Sequence, residues 1–341
     1  MKKVKKAVVR WESFLVVLIA LEIVVFGAMN AKFLNITRLF NSLNQFIPVC
    51  IISLFVTFVM ITGGIDIQAG SIVGLTSIMV AVLWSDAGIN IFMACIIGMV
   101  AGSLCGALSG FFIAYTGVQP MVVTLGGSFL YSGLALAVTS LSSTEAYKGI
   151  SNFPEAFRAL GKSKLFDTVP TQFLIFLGLV IISFILLHRT NYGRRVFLCG
   201  VNRSAAEFSG IHSRNTVMST YVLSGMSASI AGILLTAYLG TAKADMGTEY
   251  TLPIITAVVL GGTSNLGGSG GVVGTALASL AIGLLRIGLN LNGLATQYLD
   301  IPVGVLLVVV VAFRFAGTNP RVRRLFAWIK IVASPKKHPP F

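Results

Sequence analysis

The chain has 341 residues, 55% of them hydrophobic and only 11% charged, with a mean hydropathy of +0.89 and a formal net charge of +14. Ordinary soluble domains carry about 25% charged residues, so this composition excludes a soluble enzyme or binding module. Apolar runs of about 20 residues recur along the chain, as membrane-spanning helices require, and unbroken runs such as 174–187 exclude the alternation of a membrane β-barrel.

The first long run, residues 11–29, follows a basic start, as a secretory signal would. It is too long for such a signal and lacks a small-residue cleavage site, so it reads as a retained first span. Residues 30–41 read as an outside connection, and span 2 covers 45–62 with Pro48 near its first turn, where proline is tolerated. A glycine-broken stretch, 63–71, holds the lone carboxylate Asp66 and leads into a short third span ending near Trp84. Span 4, 89–115, carries Gly98, Gly102, Gly106 and Gly110 four apart, a register that lets helices approach closely.

Span 5 covers 121–141. The mixed-charge segment 142–168 follows as the longest external connection, with room for a short amphipathic helix, and span 6 covers 169–187. The interruption 188–214 is plainly basic, and within it Ser204 stands three residues before Glu207. That is capping-box spacing for a short helix, stopped by Gly210. Span 7 covers 216–239, a polar turn fills 243–249, and span 8, 252–260, is too short to cross about 30 Å at 1.5 Å per residue. The glycine-dense stretch 261–271, span 9 at 272–289, span 10 at 301–313 and the basic tail 314–341 complete the chain.

Residues 1–10, 188–214 and 314–341 together hold 17 of the 25 Lys and Arg. Ten crossings place all three on one side, which the resistance of basic loops to translocation makes the cytoplasm. The charge is thus a topology signal, helped by anionic lipid head groups, and not a nucleic-acid surface. The expected fold is an all-α polytopic membrane protein of about ten helices with broken or re-entrant segments. It forms a single transmembrane domain over 1–341 with both termini cytoplasmic.

No catalytic constellation is visible. His188, His212 and His338 lie in basic segments away from any nucleophile, and the four cysteines (Cys50, Cys95, Cys105, Cys199) lack metal-ligand spacing. The glycine runs contain no phosphate-binding G-x-x-x-x-G-K-[ST], so energy for transport comes from a separate subunit or an ion gradient. Interrupted segments in both halves of a transporter point to a translocation path. The candidates there are Asp66, Thr124, Gly126, Gly261, Gly262, Asn265, Arg286 and Asn290. Asp66 is read as an interfacial cap for the helix starting near Gly70 or as the partner of a basic residue. Arg286 has no acid nearby in sequence and either snorkels or faces a wet cavity. Asn290, Asn292, Gln297 and Asp300 either meet a polar ligand or terminate helices.

Several of these stretches together resemble the simple-sugar branch of the ABC-importer permeases. They are Gly63-Gly64-Ile65-Asp66-Ile67 with Gly70-Ser71, Val123-Thr124-Leu125-Gly126, Thr190-Asn191-Tyr192-Gly193-Arg194, Gly200-Val201-Asn202-Arg203-Ser204-Ala205-Ala206 with Ser209-Gly210-Ile211, and Thr256-Ala257-Val258-Val259-Leu260-Gly261-Gly262. Within that branch, Ala146-Tyr147-Lys148-Gly149-Ile150, Phe153-Pro154 and residues 237–245 are most similar to permeases of autoinducer-2 import. The resemblance implies a second permease subunit (a hetero-partner or a second copy), two ATP-binding subunits and a periplasmic substrate-binding protein, with ATP used by the partner and no cofactor bound by this chain. It implies a coupling helix at 204–211 docking in the ATPase, with Arg194, Arg195, Asn202, Ser204, Ala205, Ala206, Glu207, Ser209 and Gly210 as its face and surroundings. A ribose permease and an ion-coupled secondary transporter are the competing expectations.

Overall fold

The structure is a computed structural model and describes residues 2–142, 149–165 and 167–318. The Ala146–Lys148 part of the external motif and the tail beyond residue 318 lie outside the described residues. In chain order the helices are α1 (Lys2–Met29), α2 (Ile36–Leu43), α3 (Ile47–Ile61), α4 (Ala69–Ser85), α5 (Ile91–Phe111), α6 (Pro120–Thr139) and α7 (Glu155–Lys162). They continue with α8 (Thr171–His188), α9 (Asn191–Val201), α10 (Arg203–Phe208), α11 (Ser213–Leu239), α12 (Thr251–Leu260), α13 (Val272–Leu291) and α14 (Asp300–Thr318).

Among the described residues six helical segments are long and apolar enough to cross a membrane: Trp11–Met29, Ile91–Thr116, Pro120–Thr139, Thr171–His188, Ser213–Leu239 and Val272–Leu291. A seventh arises if α2 and α3, bent by 57°, count as one span, and Ala69–Ser85, Thr248–Leu260 and Thr296–Val309 are shorter apolar helices. The expected ten crossings are therefore not matched by ten helices of spanning length. Hydropathy runs locate apolar segments, but several of these fall short of spanning length as single helices. The segment 30–41 is also no plain connection: a 3-10 turn (Ala31–Leu34) and α2 occupy it, each capped by an asparagine side chain, Asn30 and Asn35.

Every residue of α3 is buried, in keeping with a sequence apolar on all sides. Helix α11 packs along it in the opposite direction: the Tyr221 hydroxyl lies beside Val59 and Gly64 at one end, and Tyr238 donates to the Asn41 carbonyl at the other (3.2 Å). Helices α1, α5, α6 and α8 surround this core and present Val17, Ile96, Leu104, Phe129 and Ile181 outward, the apolar exterior that lipid demands. Close approach of α5 to α11 depends on the expected glycine register. A Cβ on Gly102 would stand 1.7 Å from Ser229 Oγ, and one on Gly106 would stand 2.1 Å from the Tyr221 carbonyl oxygen.

The end of the bundle holding α9 and α10 is here called the basic end. At the opposite end, Ile150–Ser151 pairs antiparallel with Thr241–Ala242, and Lys164–Leu165 with Val169–Pro170. Helix α7 lies at this end, as the amphipathic pattern of 142–168 led one to expect, and it packs against α11.

Candidate functional site: a glycine junction beneath a broken membrane segment

The residues between α3 and α4 run without helix through the interior of the bundle, so each freed backbone group needs a partner. Gly63 and Gly64 donate their amides back to the Met60 and Val59 carbonyls, each at 3.0 Å. The Ile65 carbonyl accepts from Thr124 Oγ1 (3.1 Å) and the Ile67 carbonyl from Thr251 Oγ1 (3.2 Å). Asp66 is only 2% exposed. Its carboxylate accepts the Gln68 amide (3.1 Å) and the Ser224 hydroxyl (2.6 Å). The carboxylate thus sits at the positive N-terminal end of α4, as a cap would. The residue lies in the interior of the bundle, where α4 begins.

A second break faces the first. After α11 ends at Gly240 in a left-handed turn (φ +72°), residues 240–250 fold back into the bundle. A Cβ on Gly70 would stand 2.2 Å from the Gly247 carbonyl oxygen, and one on Gly247 would stand 2.6 Å from that of Gly70. Gly74 abuts the Ala244 carbonyl in the same way. The short helices α4 and α12 start at this shared level and run apart, α4 along α11 toward the far end (Ser77 Oγ to Thr236 Oγ1, 2.7 Å) and α12 toward the basic end, where Trp11 Nε1 donates to the Leu260 carbonyl (2.7 Å). The counterpart of the Asp66 break is thus 240–250. The expected counterpart, 261–271, is a turn at the basic end. Glycine density marked the turn more strongly than the break because the break needs glycine at only two points, Gly240 and Gly247.

Beside the first break lies a buried polar chain. Gln68 Oε1 accepts from Ser109 (2.6 Å), Tyr131 donates to the Cys105 carbonyl (2.8 Å), and Ser132 donates to Ser71 (3.0 Å). Gln68 Nε2 and the Tyr221 hydroxyl, both buried, have no hydrogen-bond partner among the described residues. Beside the second break, Asp245, Thr248 and Glu249 are exposed. Arg286 is not unpaired: its Nη1 stands 2.5 Å from Asp300 Oδ1, and its guanidinium lies 5.9 Å from the centre of the Phe46 ring. The two stand 14 positions apart in sequence, and the turn between α13 and α14 closes the gap. Asn290 and Asn292 act as helix terminators, donating to the Leu294 (3.4 Å) and Gly288 (2.7 Å) carbonyls.

Other expected path residues have packing roles or face outward. Gly261 lets α12 meet α13, since a Cβ would stand 2.5 Å from Thr275 Cα, and Gly262 takes φ +100° under the Trp11 ring. Asn265 is exposed in the turn. Gly126 faces out with nothing near it, and its neighbour Gly127 is the one packed against Gln68 Oε1. Thr124, by contrast, is fully buried on the break.

The basic interruption is more ordered than expected, with α9 occupying its first half. Helix α10 is capped by Asn202, whose Oδ1 accepts the Ala205 amide (3.0 Å). Ser204 is not the cap, because Arg203 is already helical. Glu207 turns to Arg203 Nε (3.8 Å) and to the Ser213 hydroxyl. Gly210 ends the helix at φ +80°, as expected. Arg203 reaches inward to donate to the Ala114 carbonyl (2.7 Å), in the π-helical turn that ends α5. Ala206 is buried, whereas Ser204, Ala205, Ser209, Arg194 and Arg195 are exposed. Among the described residues Phe208 is the most exposed large apolar side chain, at 94%; the sequence pattern had not singled it out.

Three glycine-bearing segments converge under the end of α3. A Cβ on Gly200 would stand 1.8 Å from the Ile61 carbonyl oxygen and 2.6 Å from the Gly268 amide nitrogen; one on Gly267 would stand 3.0 Å from both Gly63 N and the Gly200 carbonyl oxygen. The Gly268 amide donates to the Ile61 carbonyl (2.8 Å). Backbone thus meets backbone between α9, the 261–271 turn and the start of the Asp66 break. Tight backbone packing leaves little slack between α9, the turn and Gly63. Among the described residues no cluster of His, Cys, Asp or Glu could hold a metal ion.

A bundle of apolar, membrane-length helices with paired internal breaks is the architecture of a transport permease. The family described as branched-chain amino acid transport system / permease component matches residues 38–311, and the chain belongs to it. It is 39% identical over 320 residues to the Autoinducer 2 import system permease protein LsrD of Yersinia enterocolitica, spanning 94% of this chain and 96% of that one. Proteins of the same name in Yersinia pseudotuberculosis and Yersinia pestis are 38% identical, over 94% of this chain and 95% of theirs. A chain of a metal-chelate type ABC transporter, solved in an inward-facing conformation, shares the fold with a TM-score of 0.51 at 15% identity, covering 90% of this chain and 99% of that one. Membership makes this a multi-pass inner-membrane transport subunit that works with ATP-binding and substrate-binding partners.

Proposed function

We propose that this chain is the permease subunit of an ABC importer that carries autoinducer-2 across the inner membrane. The observation that carries the substrate is its likeness to autoinducer-2 import permeases over 94% of its length. The chain forms one transmembrane domain making ten passages, the bent pair and helices α4, α12 and α14 completing those of the six long segments. The basic segments and both termini lie in the cytoplasm, because short basic loops resist translocation. ATP is bound by two partner subunits and not by this chain, and the second permease is a hetero-partner or a second copy.

In this reading α10 is the coupling helix. Phe208, Ser204 and Ala205 enter the ATP-binding subunit, and Arg194 and Arg195 meet its carboxylates. Movement passes through Gly200 to the junction and the Asp66 break, rocking the permease between inward and outward states. The path for a small polyhydroxylated ligand runs by the second break, where Asp245, Thr248 and Glu249 are exposed. Exposed charged groups on a break in a membrane segment face water or a polar ligand.

Uptake of labelled autoinducer-2 and of ribose, measured in cells with and without the gene, tests the assignment. Loss of autoinducer-2 uptake alone is expected. Loss of ribose uptake alone would transfer the substrate to the simple sugars, and uptake by the purified chain in liposomes without an ATPase would overturn the ABC reading.

A further inference from the structure

We propose that the turn Ser264–Gly268, with Leu266 at its tip, is a second docking point for the ATP-binding subunit, beside α10. The proposal rests on the reading of α10 as the coupling helix.

The turn is built to hold its tip in place. Gly267 and Gly268 take φ values of +85° and +74°, which glycine alone adopts without strain. The Ser264 amide donates to the Ser269 carbonyl (2.9 Å), the Gly267 amide to the Ser264 carbonyl (3.2 Å) and the Gly268 amide to the Ile61 carbonyl (2.8 Å). The Leu266 amide donates to Ser264 Oγ (3.2 Å). A turn pinned at both shoulders leaves Leu266 87% exposed. A fixed apolar side chain loses little freedom on docking, which is what an interface anchor needs.

Its place identifies the partner. Gly267 and Gly268 pack on Gly200 and Val201, at the end of the helix that leads directly into α10. Val201, 70% exposed, and Phe208, 94% exposed, continue the apolar surface, and exposed Arg194 and Arg195 stand on the same helix as Val201. The complementary surface is an apolar-floored cleft with carboxylates on its rim, and the partner that meets this end of the molecule is the ATP-binding subunit. The turn also touches Gly63. Pressure on Leu266 therefore reaches the Asp66 break by a route that does not pass through α10.

Cysteine accessibility tests this. Leu266→Cys and Phe208→Cys are made singly in the full chain; the native Cys50, Cys95 and Cys199 are buried and Cys105 half-buried, so the unsubstituted chain gives the background. Inverted membrane vesicles, with and without the ATP-binding subunit co-produced, are treated with a charged, membrane-impermeant maleimide. Both cysteines are expected to react without the partner and to be shielded with it. Leu266→Asp is expected to weaken retention of the ATP-binding subunit on the purified importer by about tenfold, the loss typical of one buried anchor, at unchanged membrane levels of the permease. Shielding of Phe208→Cys with no change at Leu266→Cys would overturn the second docking point alone. An unreactive Leu266→Cys in the absence of the partner would also overturn it, by assigning the leucine to lipid. Shielding of neither residue would overturn the coupling-helix reading together with this one.

Discussion

Replacing Gly200 with alanine perturbs the junction by one methyl group. The new Cβ would stand 1.8 Å from the Ile61 carbonyl oxygen and 2.6 Å from the Gly268 nitrogen. Both are backbone atoms, so no flexible side chain can move aside. Ordinary contact requires an opening of roughly 1.5 Å, which costs about 1–3 kcal/mol as overpacking. It also breaks the Gly268–Ile61 hydrogen bond, worth about 1 kcal/mol net. Alanine in helix α9 returns up to about 1 kcal/mol through propensity. The expected outcome is a net loss of about 1–3 kcal/mol, read as a lower thermal midpoint of the detergent-solubilised importer. Uptake per ATP hydrolysed should fall with it, because the docking end no longer bears tightly on Gly63. Gly178→Ala in α8, where a Cβ meets nothing within 4 Å, is the matched control. Equal midpoints and equal coupling for the two variants would refute the claim that Gly200 transmits motion.

Asp66→Asn should retain most transport, since its carbonyl still accepts the Gln68 amide and Ser224 can reorient. Asp66→Leu strands both donors at about 1–3 kcal/mol each and should abolish uptake; equal loss in both variants would mean that the charge itself is required. Ala206→Arg should lower the yield of folded permease because Ala206 is buried, whereas Ala205→Arg should leave folding intact and reduce ATP-driven uptake. The opposite ranking, scored by membrane abundance and transport, would reverse the assignment of faces on α10. A double-mutant cycle on Arg286 and Asp300 should give a coupling of about 1 kcal/mol or less, because Asp300 is half-exposed. Glu22 is 8% exposed in α1, and its Oε2 has no hydrogen-bond partner among the described residues. Glu22→Leu should therefore raise the thermal midpoint of the solubilised importer, and loss of uptake in that variant would instead assign the carboxyl a part in transport.

The apolar runs, the basic asymmetry, the glycine register of α5 and the stop at Gly210 were legible in the sequence. Each is a local property: hydrophobic length, loop charge and the allowance for positive φ act over a few residues. The family, too, was legible, because its motifs are short and ordered. Tertiary structure decided which glycine break answers Asp66. The pairing of 240–250 with the start of α4, next to the Asp66 break, depends on α11 lying antiparallel to α3, and no local signal in either segment carries that. It also placed Asp66 in the interior, joined Arg286 to Asp300 across a turn, moved the helix cap from Ser204 to Asn202, and turned Ala206 inward and Phe208 outward. A side chain's face is set by what packs against its helix, and those partners can lie far off in sequence, as Trp11 and Leu260 do, 249 residues apart.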